Sequence, residues 1–124
     1  MNEKTHFTAV LAGNPNVGKS TVFNALTGLD QHTGNWAGKT VACAEGQLEY
    51  DGISVTLTDI PGAYSLRAAS AEEETARQFI LTENPDCAVV VCDSSCLERN
   101  LYLALQIISA VPKTILCLNL IDEA

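Results

Sequence analysis

Positively charged side chains are scarce in this 124-residue sequence, which has 7 lysines and arginines against 15 aspartates and glutamates. A net charge of −8 at pH 7 excludes the basic footprint that nucleic-acid binding needs, and it excludes a polybasic membrane anchor. Residues 1–6 lack the basic-then-apolar pattern of a signal peptide, and no apolar run approaches the roughly 18 residues that span a bilayer. The composition therefore predicts one soluble, cytoplasmic domain over residues 1–124, without nucleic-acid binding or membrane insertion.

The cysteine pattern of a zinc site is also lacking, because the 5 cysteines are odd in number and follow no zinc-ligand spacing. Cys87, Cys92 and Cys117 lie in or beside runs of valine, isoleucine and leucine, where a reduced thiol behaves as a small apolar side chain. We expect reduced structural thiols throughout the chain.

Short apolar runs alternate along the chain with segments of helical period, an order typical of a mostly parallel sheet with crossover helices. Strands are predicted at residues 7–12, 41–50, 53–59, 88–92 and 114–119, and helices at 19–27, from 70 onwards and from 97 onwards. Asp51 and Gly52 predict an antiparallel hairpin at the edge of the sheet, whereas residues 29–39 fit neither period and predict a mobile loop. The predicted fold is an open α/β sheet with helices on both faces and a ligand site at the carboxyl ends of its strands.

Residues 13–20 read GNPNVGKS and complete the phosphate-binding pattern G-x-x-x-x-G-K-[ST] between a predicted strand and a predicted helix. The glycines let backbone N–H groups turn around a phosphate at the positive end of the helix dipole. Lys19 is predicted to contact the β- and γ-phosphates, and the Ser20 hydroxyl is predicted to bind Mg²⁺. The predicted nucleotide contacts of this loop are Asn14, Pro15, Asn16, Val17, Gly18, Lys19, Ser20 and Thr21.

A second motif, DIPG, ends the predicted strand at residues 53–59. Asp59 lies 39 residues after Ser20, where a second metal-binding carboxylate belongs, and the N–H of Gly62 can approach a γ-phosphate. Ala63 follows Gly62 where Ras-type enzymes have a water-orienting glutamine. Either Tyr64 or a backbone group substitutes for that glutamine, or turnover is slow.

A third motif, N-x-x-D, follows the last predicted strand with Asn119 and Asp122. A carboxylate at Asp122 can accept hydrogen bonds from N1–H and N2–H₂ of guanine, which adenine lacks. The motif therefore predicts GTP rather than ATP, with modest affinity because Leu120 stands where N-K-x-D has lysine.

The polar loop at residues 32–40 is the predicted switch. A threonine hydroxyl there can bind Mg²⁺ when a γ-phosphate orders the loop, and both Thr40 and Thr33 are of the right type. Trp36 either packs under the loop or forms a contact surface, and His32 is read as a solvated histidine.

Several longer blocks of the sequence carry a resemblance to a known family. The blocks are residues 13–20, 34–40 (GNWAGKT), 59–66 (DIPGAYSL), 97–103 (LERNLYL) and 119–124 (NLIDEA). Together they resemble the N-terminal G domain of FeoB, the bacterial ferrous iron transporter family. The blocks at 34–40, 59–66 and 97–103 separate FeoB from ribosome-assembly and tRNA-modification GTPases.

The resemblance implies a Ras-like P-loop NTPase, joined in the full-length protein to a membrane domain that moves Fe²⁺, on the cytoplasmic face of the inner membrane. It assigns Lys19, Thr40 and Gly62 to catalysis, Ser20, Thr40 and Asp59 to Mg²⁺, and Asn119 and Asp122 to guanine. It also implies that Asn16 helps to hold a K⁺ ion, although Lys39 replaces the valine that is usual before this threonine.

The resemblance further implies that a family G domain continues beyond the position of Ala124, so that its last strand and helix are missing here. Residues 114–119 would then form an exposed apolar edge that supports self-association. Two functions stay open, a slowly hydrolysing GTPase switch and a nucleotide-gated interaction module with negligible hydrolysis. A ribosome- or tRNA-associated GTPase and a P-loop kinase or ATPase are further alternatives.

Overall fold

The computed structural model describes residues 5–14, 17–28, 31–35, 42–63, 65–66, 70–94, 97–111 and 113–119. The strands in this part are β1 (His6–Gly13), β2 (Gln31–Asn35), β3 (Ala42–Tyr50), β4 (Ile53–Asp59), β5 (Cys87–Asp93) and β6 (Thr114–Asn119). The helices in this part are α1 (Lys19–Thr27), α2 (Ala71–Glu83) and α3 (Leu97–Ala110). These strands form one sheet in the order β2-β3-β4-β1-β5-β6.

Strand β1 lies in the middle of the sheet and pairs in parallel with β4 on one side and β5 on the other. Its residues 9–12 are all buried apolar side chains, as expected of a parallel strand covered on both faces. β6 extends the parallel part beyond β5, whereas β3 pairs antiparallel with β4. The predicted mostly parallel α/β sheet is confirmed.

Alternate side chains of β1 enter two separate cores. Val10 packs in the core that α3 covers with Leu103 and Ile107, whereas Leu11 packs in the core that α1 covers with Phe23. All of these side chains are at most 2% exposed. Since burying such a side chain fully contributes about 1.5–3 kcal/mol, both helix layers stabilise the strand that carries the glycine-rich loop.

The predicted hairpin joins β3 and β4. Asp51 and Gly52 both adopt positive φ, at 52° and 81°, as the two central residues of a tight antiparallel turn require. The register continues from Tyr50 opposite Ile53 to Ala44 opposite Asp59, so the hairpin also fixes where β4 ends.

Strand β2 corrects the prediction of a loop across residues 29–39. Residues 31–35 pair antiparallel with β3, from Gln31 opposite Gly46 to Asn35 opposite Ala42. An edge strand satisfies one row of backbone groups through its neighbour, and this needs no alternation of apolar side chains. The polar sequence QHTGN therefore concealed the strand. Trp36 and Thr40 lie outside the described residues.

Helix α2 begins as its sequence predicts. The Ser70 side chain accepts a hydrogen bond from Glu73 N at 3.1 Å, and Glu72, Glu73 and Glu74 occupy the first turn. The cap satisfies one of the free N–H groups, and the acidic turn complements the positive end of the helix dipole.

Strand β6 lies at the edge of the sheet beside β5 and presents apolar side chains to solvent. Ile115, Leu116 and Leu118 are 59%, 43% and 58% exposed. Self-association through this edge stays a prediction. Among the helices in the described ranges, none is both long enough and apolar enough to cross a membrane.

The three cysteines whose side chains the structure describes, Cys87, Cys92 and Cys117, are free thiols. Burial raises the pKa of Cys92, and the nearby Cys117 raises it further. Burial and the Asp86 carboxylate raise the pKa of Cys87 against the opposing effect of Lys113. Both thiols are therefore protonated at neutral pH, as structural cysteines are.

Candidate nucleotide-binding site

The predicted motifs meet because parallel strands end at the same edge of the sheet. Leu11 of β1 lies opposite Asp59, Gly13 lies opposite Val91 of β5, and Asp93 lies opposite Asn119 of β6. The glycine-rich loop and the DIPG segment therefore follow the neighbouring strands β1 and β4, and β6 ends at the same edge on the far side of β5. This is the edge at which open α/β sheets bind ligands.

Gly13 is required by close packing at the start of the loop. A Cβ on this residue would lie 2.8 Å from the Val91 carbonyl oxygen and 3.1 Å from Cγ2 of Val17. A larger residue would push the loop away from β5.

Gly18 ends the loop with φ of 83° and forms the N-cap of α1. Its carbonyl accepts from Val22 N at 3.2 Å, so the helix starts immediately after the glycine. No side chain caps this end in the described part of the loop, which leaves the first-turn N–H groups available to an anion. Lys19 and Ser20 occupy that turn.

The Lys19 ammonium contacts the Asp59 carboxylate and donates a hydrogen bond to the Ile60 carbonyl at 2.9 Å. The side chains of Lys19 and Asp59 are 13% and 16% exposed. Two residues that are 40 positions apart in the sequence thus form one charged pair at the mouth of the loop. The charged groups expected to bind phosphate and metal are adjacent here.

The segment after Asp59 lies over the end of β1. Ile60 N donates to the Leu11 carbonyl at 3.2 Å, and Ala63 N donates to the Gly13 carbonyl at 3.0 Å. Gly62 is therefore held between two points of contact with β1, next to the glycine-rich loop.

Asn14 is a buried polar residue whose side chain the sequence does not single out. It is 2% exposed, and neither its Oδ1 nor its Nδ2 has a hydrogen-bond partner within the described stretches of the chain. An unsatisfied buried amide costs about 1–3 kcal/mol. The spacing of the loop motif predicted only that Asn14 contacts nucleotide, and no pattern signals a buried side chain at this position.

Glu73 and Gln106 are contact residues of the site that sequence reasoning missed. Glu73 accepts a hydrogen bond from Ser65 N, and Gln106 accepts one from Leu66 N, just beyond Gly62. The sequence indicates only that Glu73 stabilises a helix start, and no motif spacing points to Gln106.

Several predicted site residues lie outside the described part of the chain. They are Pro15, Asn16, Tyr64, Thr40 and Asp122. Asn119 is the last residue of β6, and its side chain also lies outside that part. Their roles stay predictions.

The sequence profile of a family described as ferrous iron transport protein B matches residues 7–124. The chain belongs to the FeoB family. It is 52% identical over 101 residues to the Fe(2+) transporter FeoB of Methanocaldococcus jannaschii, a match that covers 82% of this chain and 15% of that protein. The resemblance predicted from the sequence blocks is confirmed.

Solved FeoB structures share the fold. The G domain of the T. maritima FeoB iron transporter matches with a TM-score of 0.89 and 44% identity, over 96% of this chain and 75% of that one. The cytosolic domain of that transporter in a GMPPNP form matches with a TM-score of 0.83 and 44% identity, over 89% of this chain and 44% of that one. The predicted P-loop G-domain fold is confirmed, in a chain that spans 15% of the length of the M. jannaschii transporter.

The contact between Lys19 and Asp59 should appear as a coupling free energy in the protein without nucleotide. Lys19→Met, Asp59→Asn and the double variant would be compared by urea unfolding. We expect a coupling of about 1 kcal/mol, because the pair is partly buried but still screened by solvent.

The matched control pairs Asp59→Asn with Lys113→Met. Lys113 lies just before β6, at the opposite end of the parallel strands from Asp59, and its carbonyl accepts from Ala88 N of β5. The losses of unfolding free energy caused by these two substitutions should therefore add. If the losses of unfolding free energy in Lys19→Met and Asp59→Asn simply added in the double variant, that result would contradict the ion pair.

Proposed function

We propose that this chain binds GTP and GDP and hydrolyses GTP slowly with Mg²⁺, as the nucleotide switch of a ferrous iron transporter. The observation that carries the proposal is the contact between Lys19 and Asp59 beside the start of α1. It joins the cation of the glycine-rich loop to the acid of the DIPG motif in a FeoB-type G domain.

The start of α1 supports phosphate binding. Gly18 turns the backbone with a positive φ, and the first-turn N–H groups follow it at the positive end of the helix dipole. The Lys19 ammonium lies at this end and can exchange the Asp59 carboxylate for a phosphate oxygen, because both partners are anionic.

The oxygen donors present fit Mg²⁺. Ser20 lies exposed in the first turn of α1, and the Asp59 carboxylate contacts Lys19, the residue before it. Hydroxyl and carboxylate oxygens are ligands that Mg²⁺ prefers, and the bound ion would offset phosphate charge. Ser20 and Asp59 would hold it, with Thr40 as the ligand predicted from the switch loop.

Slow hydrolysis follows from the surroundings of Gly62. We propose that its N–H contacts a γ-phosphate, but the next residue is the buried Ala63, whose own N–H is bonded to the Gly13 carbonyl. Ala63 has no polar side chain to orient an attacking water, unlike the glutamine of Ras-type enzymes.

The apolar Ala63 after Gly62 also favours a second candidate function, a nucleotide-gated interaction module with negligible hydrolysis. In either case we propose that the membrane transport domain of the full-length protein is the partner, and that the chain acts on the cytoplasmic face of the membrane. The solved T. maritima cytosolic domain in a GMPPNP form supports a cytosolic nucleotide domain.

Single-turnover hydrolysis of GTP in K⁺ and in Na⁺ separates the two candidates. We expect slow turnover that is faster in K⁺, because a K⁺ ion at Asn16 would offset phosphate charge. Asn16→Ala should remove the difference between the two salts. Turnover no faster than in buffer, in both salts, would favour the interaction module.

Guanine selectivity is the direct test of the proposed ligand. Asp122→Asn should weaken GTP binding and strengthen binding of xanthosine nucleotides, because xanthine has a carbonyl where guanine has N2–H₂. The measurement is competition against a fluorescent GDP by GTP, ATP and xanthosine triphosphate.

Asp51→Asn is the matched control, since it makes the same change in the hairpin turn, where asparagine also adopts positive φ readily. The control should keep the wild-type order of affinities. Unchanged GTP preference in Asp122→Asn would show that another residue recognises the base.

A further inference from the structure

In the described part of the segment after β4, residues 60–63 and 65–66, four backbone N–H groups donate hydrogen bonds to other parts of the chain. Two of the bonds, from Ile60 N and Ala63 N, reach carbonyls of β1. The other two leave the sheet: Ser65 N donates to Glu73 Oε2 of α2 at 3.3 Å, and Leu66 N donates to Gln106 Oε1 of α3 at 2.7 Å.

The two side-chain bonds are sheltered from water. Ser65 and Glu73 are each 8% exposed, and Leu66 packs against the core that contains Ala63 and Ile107. In such surroundings water competes weakly for the donors, so a lost acceptor leaves a sheltered N–H without a partner.

Gln106 makes the shorter of these two bonds and has no role in a helix cap, unlike Glu73, which also donates its backbone N–H to Ser70 Oγ. It lies in the interior of α3, 40 residues after Leu66, on a helix anchored in the core by Leu103 and Ile107. Gln106 is thus a fixed point to which the end of the segment is attached.

We propose that Gln106 is a positioning residue for Gly62. By accepting the hydrogen bond from Leu66 N, it keeps the segment in a conformation in which the Gly62 N–H can bind a γ-phosphate. This rests on the proposed function of Gly62. A segment held at both ends spends less conformational entropy on ordering when the γ-phosphate arrives. GDP has no γ-phosphate, so its affinity should not depend on the bond.

The test compares affinities for GDP and for a non-hydrolysable GTP analogue, both with Mg²⁺, by displacement of a fluorescent GDP. Gln106→Met keeps the length and helix propensity of the side chain but removes the acceptor. It should weaken binding of the GTP analogue about 3- to 10-fold, the range expected for one lost hydrogen bond, and change GDP affinity less than 2-fold.

Gln106→Glu retains the acceptor oxygen and should restore the wild-type ratio of the two affinities. Gln78→Met is the matched control, because among the contacts described the side chain of Gln78 on α2 bonds only Glu74 on its own helix. It should leave the ratio unchanged. If Gln106→Met does not fold, as judged by circular dichroism, Gln106→Ala removes the same acceptor and gives the same comparison.

Equal losses for both nucleotides, or an unchanged ratio in a folded variant, would overturn the positioning role. Failure of Gln106→Glu to restore the ratio would overturn it as well. Failure of the proposed function looks different, because the wild-type chain itself would then bind neither GDP nor the GTP analogue.

Discussion

The parallel pairing of β1 with β4 and β5 is the constraint on which the candidate site depends. With Leu11 opposite Asp59 and Gly13 opposite Val91, the three strands run in one direction and end at one edge. Register is fixed because a shift of one residue would exchange the side chains that enter the two cores. Core packing on both faces of β1 therefore determines where Lys19 meets Asp59.

The site combines these rigid strand ends with an irregular segment that few bonds hold. The backbone of residues 60–63 is attached to β1, whereas residues 65 and 66 are attached to side chains of α2 and α3. The bonds from Ser65 N and Leu66 N can break without disturbing the sheet, because neither belongs to the pairing between its strands. A nucleotide-dependent switch needs this division between a fixed scaffold and a loosely held element.

The sequence predicts the parts of this structure that local patterns control. Apolar runs identify β1 and β5, Asp51 and Gly52 identify the hairpin, and Ser70 identifies the start of α2. The glycine-rich motif likewise predicts the turn into α1 because its backbone geometry depends on the glycines themselves.

Contacts between residues that are distant in the sequence cannot be predicted from such local patterns. β2 is held by backbone pairing at an edge, so its polar side chains carry no strand signal. The bond from Leu66 N to Gln106 joins residues 40 apart, and the buried amide of Asn14 depends on how the loop packs. No spacing rule encodes either, because both result from the way in which helices and loops assemble over the sheet.

Binding of GDP to the wild type and to Asp59→Asn, with and without Mg²⁺, tests the central claim most directly. We propose that phosphate replaces Asp59 as the partner of Lys19, while Asp59 turns to the metal. Without Mg²⁺, Asp59→Asn should bind GDP more tightly than the wild type, because Lys19 is no longer held by a carboxylate that repels phosphate. With Mg²⁺, the wild type should gain affinity and the variant should gain little. Weaker GDP binding by the variant without Mg²⁺, or an equal gain with it, would contradict the account.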